Sequence, residues 1–256
     1  SGGSPFGTTA SGVNFSVSPA VTTTYYAESQ SGGTAGGGAA YYIRAQSGEP
    51  WGYTNNVDAM NNVYGSGNWT LAYFENAVPA TVFSAGTDFV YMDGSDAGAD
   101  EMETFLNANI TTIQNWVSAG NYLVLKSAPN EGDGMSYGFG GTSLVYDGSL
   151  EQTYGYAVNT SHQVFNYPFT PCATSFTGNY ISHAYITGSG ITSLMIGENT
   201  YPMLAEKTWG SGKVLFSGMT LSDWWDPETE ADNLLYNIIY YIAQPSGCES
   251  TTRTPV

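Results

Sequence analysis

Hydrophobic and polar residues alternate at both ends of this chain with the two-residue period of β-strands. Residues 12–28, GVNFSVSPAVTTTYYAE, alternate, break at Pro19 and alternate again. Residues 248–256, CESTTRTPV, have the pattern of one further strand. Segments typical of flexible junctions, SQSGGTAGGG at 29–38 and QPSGC at 244–248, separate both ends from the middle. The pattern therefore predicts a split β-module whose two parts flank an independent domain.

The middle of the chain has the pattern of an α/β domain. Short apolar segments alternate with segments of helical period, which predicts an open, mainly parallel sheet flanked by helices. Asp226 is a candidate N-cap for the last helix, with Pro227 in its first position. The predicted elements are strands at 39–45, 70–74, 88–92, 122–125, 203–206 and 213–217, and helices at 57–64, 99–119 and from Asp226 onward. The predicted units are residues 1–31 and 246–256 for the β-module and 39–243 for the α/β domain.

Charge narrows the range of partners. The 256 residues include 22 acids and only five basic residues, for a net charge of -17. Nucleic-acid binding and attraction to anionic membranes both need clustered Lys and Arg, so we expect neither. No run of 18 apolar residues is present, so we expect no membrane insertion. An acidic surface suits divalent cations, calcium above all.

The two ends resemble a known type of repeat. TTTYYAE at the first end and C-x-S-T-x-R-x-P-V at the second resemble strands of the immunoglobulin-like repeats in long cell-surface proteins of gliding and adhesive bacteria, of the Bacteroidetes type. In such repeats the two strands follow each other closely, whereas here about two hundred residues intervene. The resemblance implies a partial Ig-like β-sandwich made of both termini, with the α/β domain inserted into a hairpin loop. It also implies an extracellular location and neighbouring repeats of the same long chain as partners.

The middle domain resembles a second family. YLVLKSAPNEGDG and the closing AEKTWGSGKVLFSGMT with its amphipathic helix are similar to the class I glutamine-amidotransferase-like fold, which is flavodoxin-like. The similarity is to its secreted, non-amidotransferase branch, related to trehalose-utilisation-type proteins. Active amidotransferases carry a Cys on a sharp turn after a central strand, and a His and a Glu follow later. Here the corresponding strand, YLVLK, is followed by Ser127, and no Cys is present at that position.

Three residues are candidates for catalysis. Ser127 is the nucleophile-type residue at the matching turn, but Pro129 has no N–H to offer an oxyanion. His162 and His183 are candidate general bases. The alternative is that Ser127 is a buried hydroxyl at a strand end and that both histidines are structural, because each precedes an apolar stretch. We expect no catalysis from this set.

Acidic residues follow three of the predicted strands, in the loops MDGSDAGADE, APNEGDG and MTLSDWWD. In open α/β sheets, sites form beyond the carboxyl ends of the strands, so we expect these acids to share one rim. Carboxylates that repel one another favour a bound cation, and we predict calcium at Asp93, Asp96 and Asp133. The alternative assigns several acids to turns and helix starts, with Asp96 as a turn former.

Aromatic residues lie beside these acids. Trp224 and Trp225 adjoin Asp223, and rings next to carboxylates are a common way of binding sugars. We predict a ligand site formed by these three residues and Glu131. The alternative is that one Trp closes the sheet edge while the other covers a helix.

Three functions are consistent with these features. The first is a non-catalytic module of a large adhesin, which binds a surface glycan or another extracellular ligand. The second is a secreted carbohydrate-active hydrolase that uses the rim carboxylates. The third is a mechanical spacer.

Cys172 and Cys248 allow one disulfide or two unrelated thiols.

Overall fold

The computed structural model describes residues 26–27, 38–130, 132–146, 152–243 and 254–255. The strands are β1 Tyr26–Ala27, β2 Ala39–Arg44, β3 Thr70–Tyr73, β4 Thr87–Asp93, β5 Tyr122–Lys126, β6 Met135–Gly138, β7 Thr142–Tyr146, β8 Gln152–Ala157, β9 Ser175–Ser182, β10 Ala184–Thr187, β11 Thr192–Gly197, β12 Pro202–Trp209, β13 Gly212–Ser217, β14 Trp225–Asp226 and β15 Thr254–Pro255. The helices are α1 Asn55–Tyr64, α2 Pro79–Val82, α3 Ala99–Ser118 and α4 Glu228–Ile242. Short 3-10 turns are present at Pro50–Gly52, Gln163–Phe165, Glu198–Thr200 and Ser222–Trp224.

The main sheet has ten strands in the order β14-β9-β8-β11-β12-β13-β5-β4-β2-β3. The half from β3 to β13 is parallel, and the half from β13 to β14 is antiparallel. The expectation of a mainly parallel sheet is therefore correct for one half only, and the sheet as a whole is mixed. Strands joined by short connections, such as β12 and β13 across Gly210 and Ser211, must run antiparallel, since a parallel pair needs a long crossover.

Both faces of this sheet are covered. Helices α1 and α4 pack together over one face, on a core that includes Tyr42, Tyr91 and Ile238. Helix α3 and a three-stranded sheet, in the order β10-β7-β6, cover the other face, on a core that includes Met92, Leu106 and Phe216. The parallel strands are therefore buried on both sides, which explains the uninterrupted apolar run in YLVL.

The predicted helices exist, with small differences at their ends. Helix α3 was expected at 99–119 and occupies Ala99–Ser118, with Gly120 at a φ of 118° just beyond it. Helix α4 begins at Glu228, and its N-cap is Pro227 rather than Asp226. Asp226 instead ends β14, which pairs with β9. Among the described residues, no helix is long and apolar enough to cross a membrane.

The chain divides into two compact units, Ser1–Ser31 with Gly247–Val256 and Gly32–Ser246. In the first unit β1 pairs with β15 in antiparallel fashion, with Tyr26 opposite Pro255 and Ala27 opposite Thr254. Residues from the two ends of the chain therefore form one strand pair. Most residues of the predicted Ig-like module lie outside the described part of the chain, so the β-sandwich stays a prediction.

Candidate functional site

The acidic loops leave one edge of the sheet. Strands β4, β5 and β13 are neighbours and all run parallel, so the segments that follow Asp93, Lys126 and Ser217 begin side by side. The loop after β2 joins them, since β2 pairs in parallel with β4. We call this edge the rim, and it is where sites form in open α/β folds.

A buried ion pair lies at the base of the rim. Lys126 Nζ lies 2.6 Å from Asp93 Oδ2, and the two side chains are 5% and 0% exposed. Asp93 also accepts hydrogen bonds from Asn56 Nδ2 at 2.8 Å and from the backbone N–H of Ser95 at 2.8 Å. The carboxylate is therefore fully engaged within the protein and is shielded from solvent.

Tyrosines extend this buried network towards β2. Tyr91 donates to Asn56 Oδ1 at 2.7 Å, and Tyr42 donates to Glu49 Oε2 at 2.8 Å. Burial, together with the negative charge of Asp93, raises the pKa of Tyr42 and of Tyr91 well above the usual range. Burial also raises the pKa of Glu49, whose other oxygen pairs with Arg44 at 2.6 Å. These contacts anchor the start of the loop after β2.

Asp96 joins three of the rim loops. Its Oδ2 accepts a hydrogen bond from the backbone N–H of Trp51 at 3.0 Å, and its Oδ1 accepts one from Asn130 Nδ2 at 2.8 Å. Its own N–H donates to the carbonyl of Ala128 at 3.0 Å. Trp51 and Asp96 both have left-handed backbone, with φ of 50° and 55°. That conformation is rare for residues other than Gly, and such strain concentrates where a surface must be held in one shape.

Three aromatic rings meet above these loops. The ring of Trp224 lies 4.8 Å from that of Trp51 at 67° and 6.2 Å from that of Tyr53 at 82°, both edge-on. Tyr53 is 42% exposed, and both Trp side chains are half-buried. We call Trp51, Tyr53 and Trp224 the aromatic platform. It unites the loop after β2 with the loop after β13.

Trp225 is not part of this platform. Its side chain is buried, its Nε1 donates to Thr220 Oγ1 at 3.2 Å, and its ring packs 5.5 Å from that of Phe176. The two adjacent tryptophans therefore have different environments, because Trp224 ends the 3-10 turn Ser222–Trp224 whereas Trp225 begins β14, which pairs with β9. Trp224 faces the surface and Trp225 faces the core.

Carboxylates adjoin the platform. We call Asp58, Asp223 and Asp232 the acidic margin. Thr54 Oγ1 donates to Asp58 at 2.7 Å, and Ser222 Oγ donates to Asp232 at 2.5 Å. All three acids act on one nearby phenol: burial first, and then their charges, raise the pKa of Tyr236 to about 12. The three carboxylates therefore all lie within electrostatic range of Tyr236.

Known structures resemble this fold. The chain is similar to a protein described as a GMP synthase subunit, from Thermoplasma acidophilum, with a TM-score of 0.50 and 10% identity over 79% of this chain and 94% of that one. It also resembles a Salmonella typhimurium LT2 protein, STM1381 (TM-score 0.48, 14% identity, 80% and 99% of the two chains). A β-galactosidase from Bacillus circulans sp. alkalophilus gives a TM-score of 0.47 at 12% identity over 81% of this chain, which spans only 32% of that enzyme. No family model matches the chain, and no curated protein sequence matches it.

The domain has a class I glutamine-amidotransferase-like fold. This structural similarity supports the fold only, because a sequence identity of 10% is too low to transfer an activity. Ser127, the predicted nucleophile-type residue, directly follows β5. Its side chain is 0% exposed, and its Oγ donates to the carbonyl of Gly94 at 2.9 Å. The hydroxyl is thus a buried link between the segments that follow β4 and β5.

His162 lies away from the rim. Its Nε2 is 3.9 Å from Glu206 Oε1, its Nδ1 accepts from the N–H of Val164 at 3.4 Å, and its ring packs 4.8 Å from that of Tyr241. Glu206 also pairs with Lys213, the second residue of β13, at 3.2 Å. The amino end of β13 is opposite the rim, so His162 and Ser127 do not meet.

The other predicted site residues are dispersed. His183 is half-buried, with its ring 5.8 Å from that of Tyr146. Asp223 is half-buried beside Trp224, and Asp133 is exposed in the loop after β5. Glu131 lies outside the described residues. No group of three or more His, Cys, Asp or Glu side chains in the described part of the chain is placed to hold a metal ion, and calcium binding stays a prediction.

A wider groove lies elsewhere on the domain. It has a volume of about 460 Å³ and runs between the end of β3 and the first turns of α3. Glu75, Asp100 and Glu101 line it over a floor that includes Phe74 and Phe105. Both Phe side chains are buried, so this groove offers no open ring face for stacking.

Sequence reasoning missed Trp51 and Tyr53. The signal was present, since PWGY follows the first strand of the domain and so begins at a carboxyl end. PWGY itself contains no acidic residue that would mark it as part of a site. The acids that adjoin it, Asp58 and Asp232, belong to helices α1 and α4.

Proposed function

We propose that this domain is a non-catalytic saccharide-binding module, whose ligand stacks on the aromatic platform and hydrogen-bonds to the acidic margin. The observation that carries the proposal is the assembly of Trp51, Tyr53 and Trp224 at the rim from two loops distant in sequence. Aromatic rings present a flat apolar face to the C–H groups of a sugar, while carboxylates accept its hydroxyls. The left-handed backbone of Trp51, held by Asp96, supports a surface that is shaped before the ligand arrives.

Ring spacing favours stacking on the outside of the platform. With centroids 4.8 and 6.2 Å apart, the rings touch one another and leave no slot between them. A cage that surrounds a small cation would need its rings further apart, because the cation itself sits several ångströms from each face. A sugar ring needs only the open outer faces, which the 42% exposure of Tyr53 provides.

The interior of the rim supports a non-catalytic role. The cavity beside Lys126, Asn56 and Ser217 has a volume of about 30 Å³, enough for roughly one or two water molecules and far too small for a sugar. Glycoside hydrolysis needs two carboxyl groups that face the scissile bond. Asp93 is buried in its ion pair, and both oxygens of Asp96 accept hydrogen bonds from the protein. Of the rim acids Asp93, Asp96 and Asp223, only Asp223 would therefore be left to act in the hydrolase alternative.

We also propose that the domain is displayed on a bacterial surface as part of an adhesin. The pairing of β1 with β15 supports this, because a domain inserted in a hairpin loop requires neighbouring strands on both sides of it. On this proposal the molecule is extracellular, and Ig-like repeats of the same long chain form its stalk.

Glycan-array binding followed by calorimetry tests the proposal. Tyr53→Ala and Trp224→Ala should each weaken binding of the best glycan by about tenfold or more, since loss of one stacked ring costs on the order of 1–3 kcal/mol. Tyr154→Ala is the matched control, because Tyr154 is also 42% exposed but lies on β8, outside the platform. Equal effects of the Tyr53 and Tyr154 variants, or turnover of a glycoside by the wild type, would overturn the proposal.

A further inference from the structure

We propose that the saccharide bound at the platform carries protonated amines, as a deacetylated amino sugar does. The inference rests on the proposed function and specifies its ligand. It comes from the charge around the platform, where three carboxylates adjoin the rings and the hydrogen-bond donors to them are neutral.

The cations of the described residues are engaged elsewhere. Each of them has partners away from the margin: Arg44 on Glu49, Lys126 on Asp93, Lys213 on Glu206, and Lys207 on the carbonyls of Phe139 and Ser189. Asp58, Asp223 and Asp232 therefore have no ion-pair partner in the described part of the chain. Their combined negative charge is available to an incoming ligand.

One oxygen of the margin lacks any partner among the described residues. Asp223 Oδ2 is shielded from solvent and accepts no hydrogen bond from them. A shielded acceptor left without a partner is costly, and a ligand donor that reached it would relieve that cost. Asp223 is adjacent to Trp224 in the chain, so a ring stacked on that Trp places its substituents near this carboxylate.

Simple electrostatics separates the classes of sugar. A unit charge about 4 Å from a carboxylate near a protein surface gains or loses roughly 1–4 kcal/mol. An ammonium group on a stacked sugar gains this energy, a neutral sugar does not, and a uronic acid meets repulsion of similar size. The margin therefore selects cationic over neutral saccharides and disfavours anionic ones.

Calorimetry with matched oligosaccharides tests this inference. The probes are a glucosamine hexamer and its fully N-acetylated counterpart, at low salt and at a mildly acidic pH that keeps the amines protonated. We expect the free-amine hexamer to bind about tenfold more tightly, which corresponds to about 1.4 kcal/mol. The preference should shrink as salt rises, because the Debye length falls from about 30 Å at 0.01 M to about 10 Å at 0.1 M.

Substitutions in the acidic margin test whether its carboxylates cause the preference for the free-amine hexamer. Asp58→Asn and Asp223→Asn should each reduce the preference for the free-amine hexamer over the acetylated one several-fold, because the amide keeps an acceptor oxygen but carries no charge. Asp100→Asn, an exposed acid at the start of α3, is the control and should change nothing. A lysine hexamer serves as a non-saccharide cation and should bind more weakly than the amino sugar, because it has no ring face to stack.

The outcomes distinguish the two proposals. If neither hexamer binds to a folded protein and no other glycan does, the saccharide-binding function is wrong. If the acetylated hexamer binds as tightly as the free amine, the function stands and the amine preference is wrong. If the lysine hexamer binds most tightly, the platform is a site for basic peptides and both proposals fail.

Discussion

The carboxylate of Asp96 holds the backbone N–H of Trp51 at 3.0 Å, although the two residues are 45 positions apart in the chain. Both have left-handed backbone, which costs roughly 1–2 kcal/mol for a residue other than Gly. The hydrogen bond is charge-assisted and therefore of the stronger kind. One contact thus fixes the position of a platform ring and stabilises two unfavourable backbone conformations.

Replacing Asp96 should weaken both stability and binding. Asp96→Ala removes the acceptor for Trp51 and for Asn130, and we expect it to lower the free energy of unfolding by about 1–3 kcal/mol in urea titrations. Saccharide affinity should fall as well, because Trp51 is no longer held in place. Asp100→Ala, an exposed acid nearby in sequence, should cost less than about 0.5 kcal/mol. An Asp96→Ala variant as stable as wild type would contradict this account.

Removing one partner of the buried ion pair should be severe. Lys126→Met leaves the Asp93 carboxylate buried without its counter-ion, which typically costs about 3–5 kcal/mol. Adding Asp93→Asn to this variant should recover part of the loss, since the uncompensated charge is removed. The measurement is a double-mutant cycle by chemical denaturation.

Lys207→Met is the control for this cycle. Its ammonium donates to the carbonyls of Phe139 and Ser189 and pairs with no carboxylate among the described residues, so we expect its removal to cost about 1–3 kcal/mol, the range for hydrogen bonds to a charged group. A Lys126 variant no worse than the Lys207 variant would mean that the buried pair is not a main support of the rim.

Glu206 should give the domain an acid-dependent stability. Burial alone would raise the pKa of Glu206, but the imidazole of His162, the hydroxyl of Tyr241 and the ammonium of Lys213 lower it to about 2. A pKa below that of the unfolded chain means that Glu206 stabilises the fold above pH 4.5 and loses this contribution as the pH falls towards 2. Glu206→Gln should therefore flatten the fall in unfolding free energy over this interval, relative to wild type and to Glu103→Gln. An unchanged slope would show that Glu206 is not stabilised in its charged form.

Cys172 should react slowly. It is a free thiol, and burial raises its pKa to about 11. Since the thiolate is the nucleophile, alkylation near pH 8 should be roughly two orders of magnitude slower than for an exposed cysteine. Peptide mapping after timed iodoacetamide treatment measures this site separately from Cys248. Cys172→Ser should keep saccharide binding intact, and loss of binding with a preserved fold would contradict the absence of any role for the thiol.

The sequence predicted the helices and strands more completely than the contacts between them. Helix α3 followed from its 3.6-residue apolar period to within one residue at its end, and the acidic loops were placed on one edge because β4, β5 and β13 run parallel. The antiparallel strands beyond β12 were not foreseen, because these short strands carry weak period-two patterns whose partners are set by tertiary packing.

The roles of individual acids were also hidden in the sequence. Asp93 and Asp96 have the composition of cation ligands, but a lysine on the neighbouring strand neutralises Asp93, and a backbone N–H from a distant loop engages Asp96. Such partners are set by register and by loop packing, which local patterns do not specify. Trp224 and Trp225 are adjacent in the sequence, yet only the fold distinguishes the half-buried ring from the buried one.

The placement of the lysines has a practical consequence for biosensor work. Lys126 is buried, whereas Lys207 and Lys213 are half-exposed and lie towards the amino end of β13, away from the rim. Coupling through these two lysines should therefore spare the rim and attach the domain at its far end. Domains captured through these lysines would present Trp51 and Trp224 to the flowing analyte.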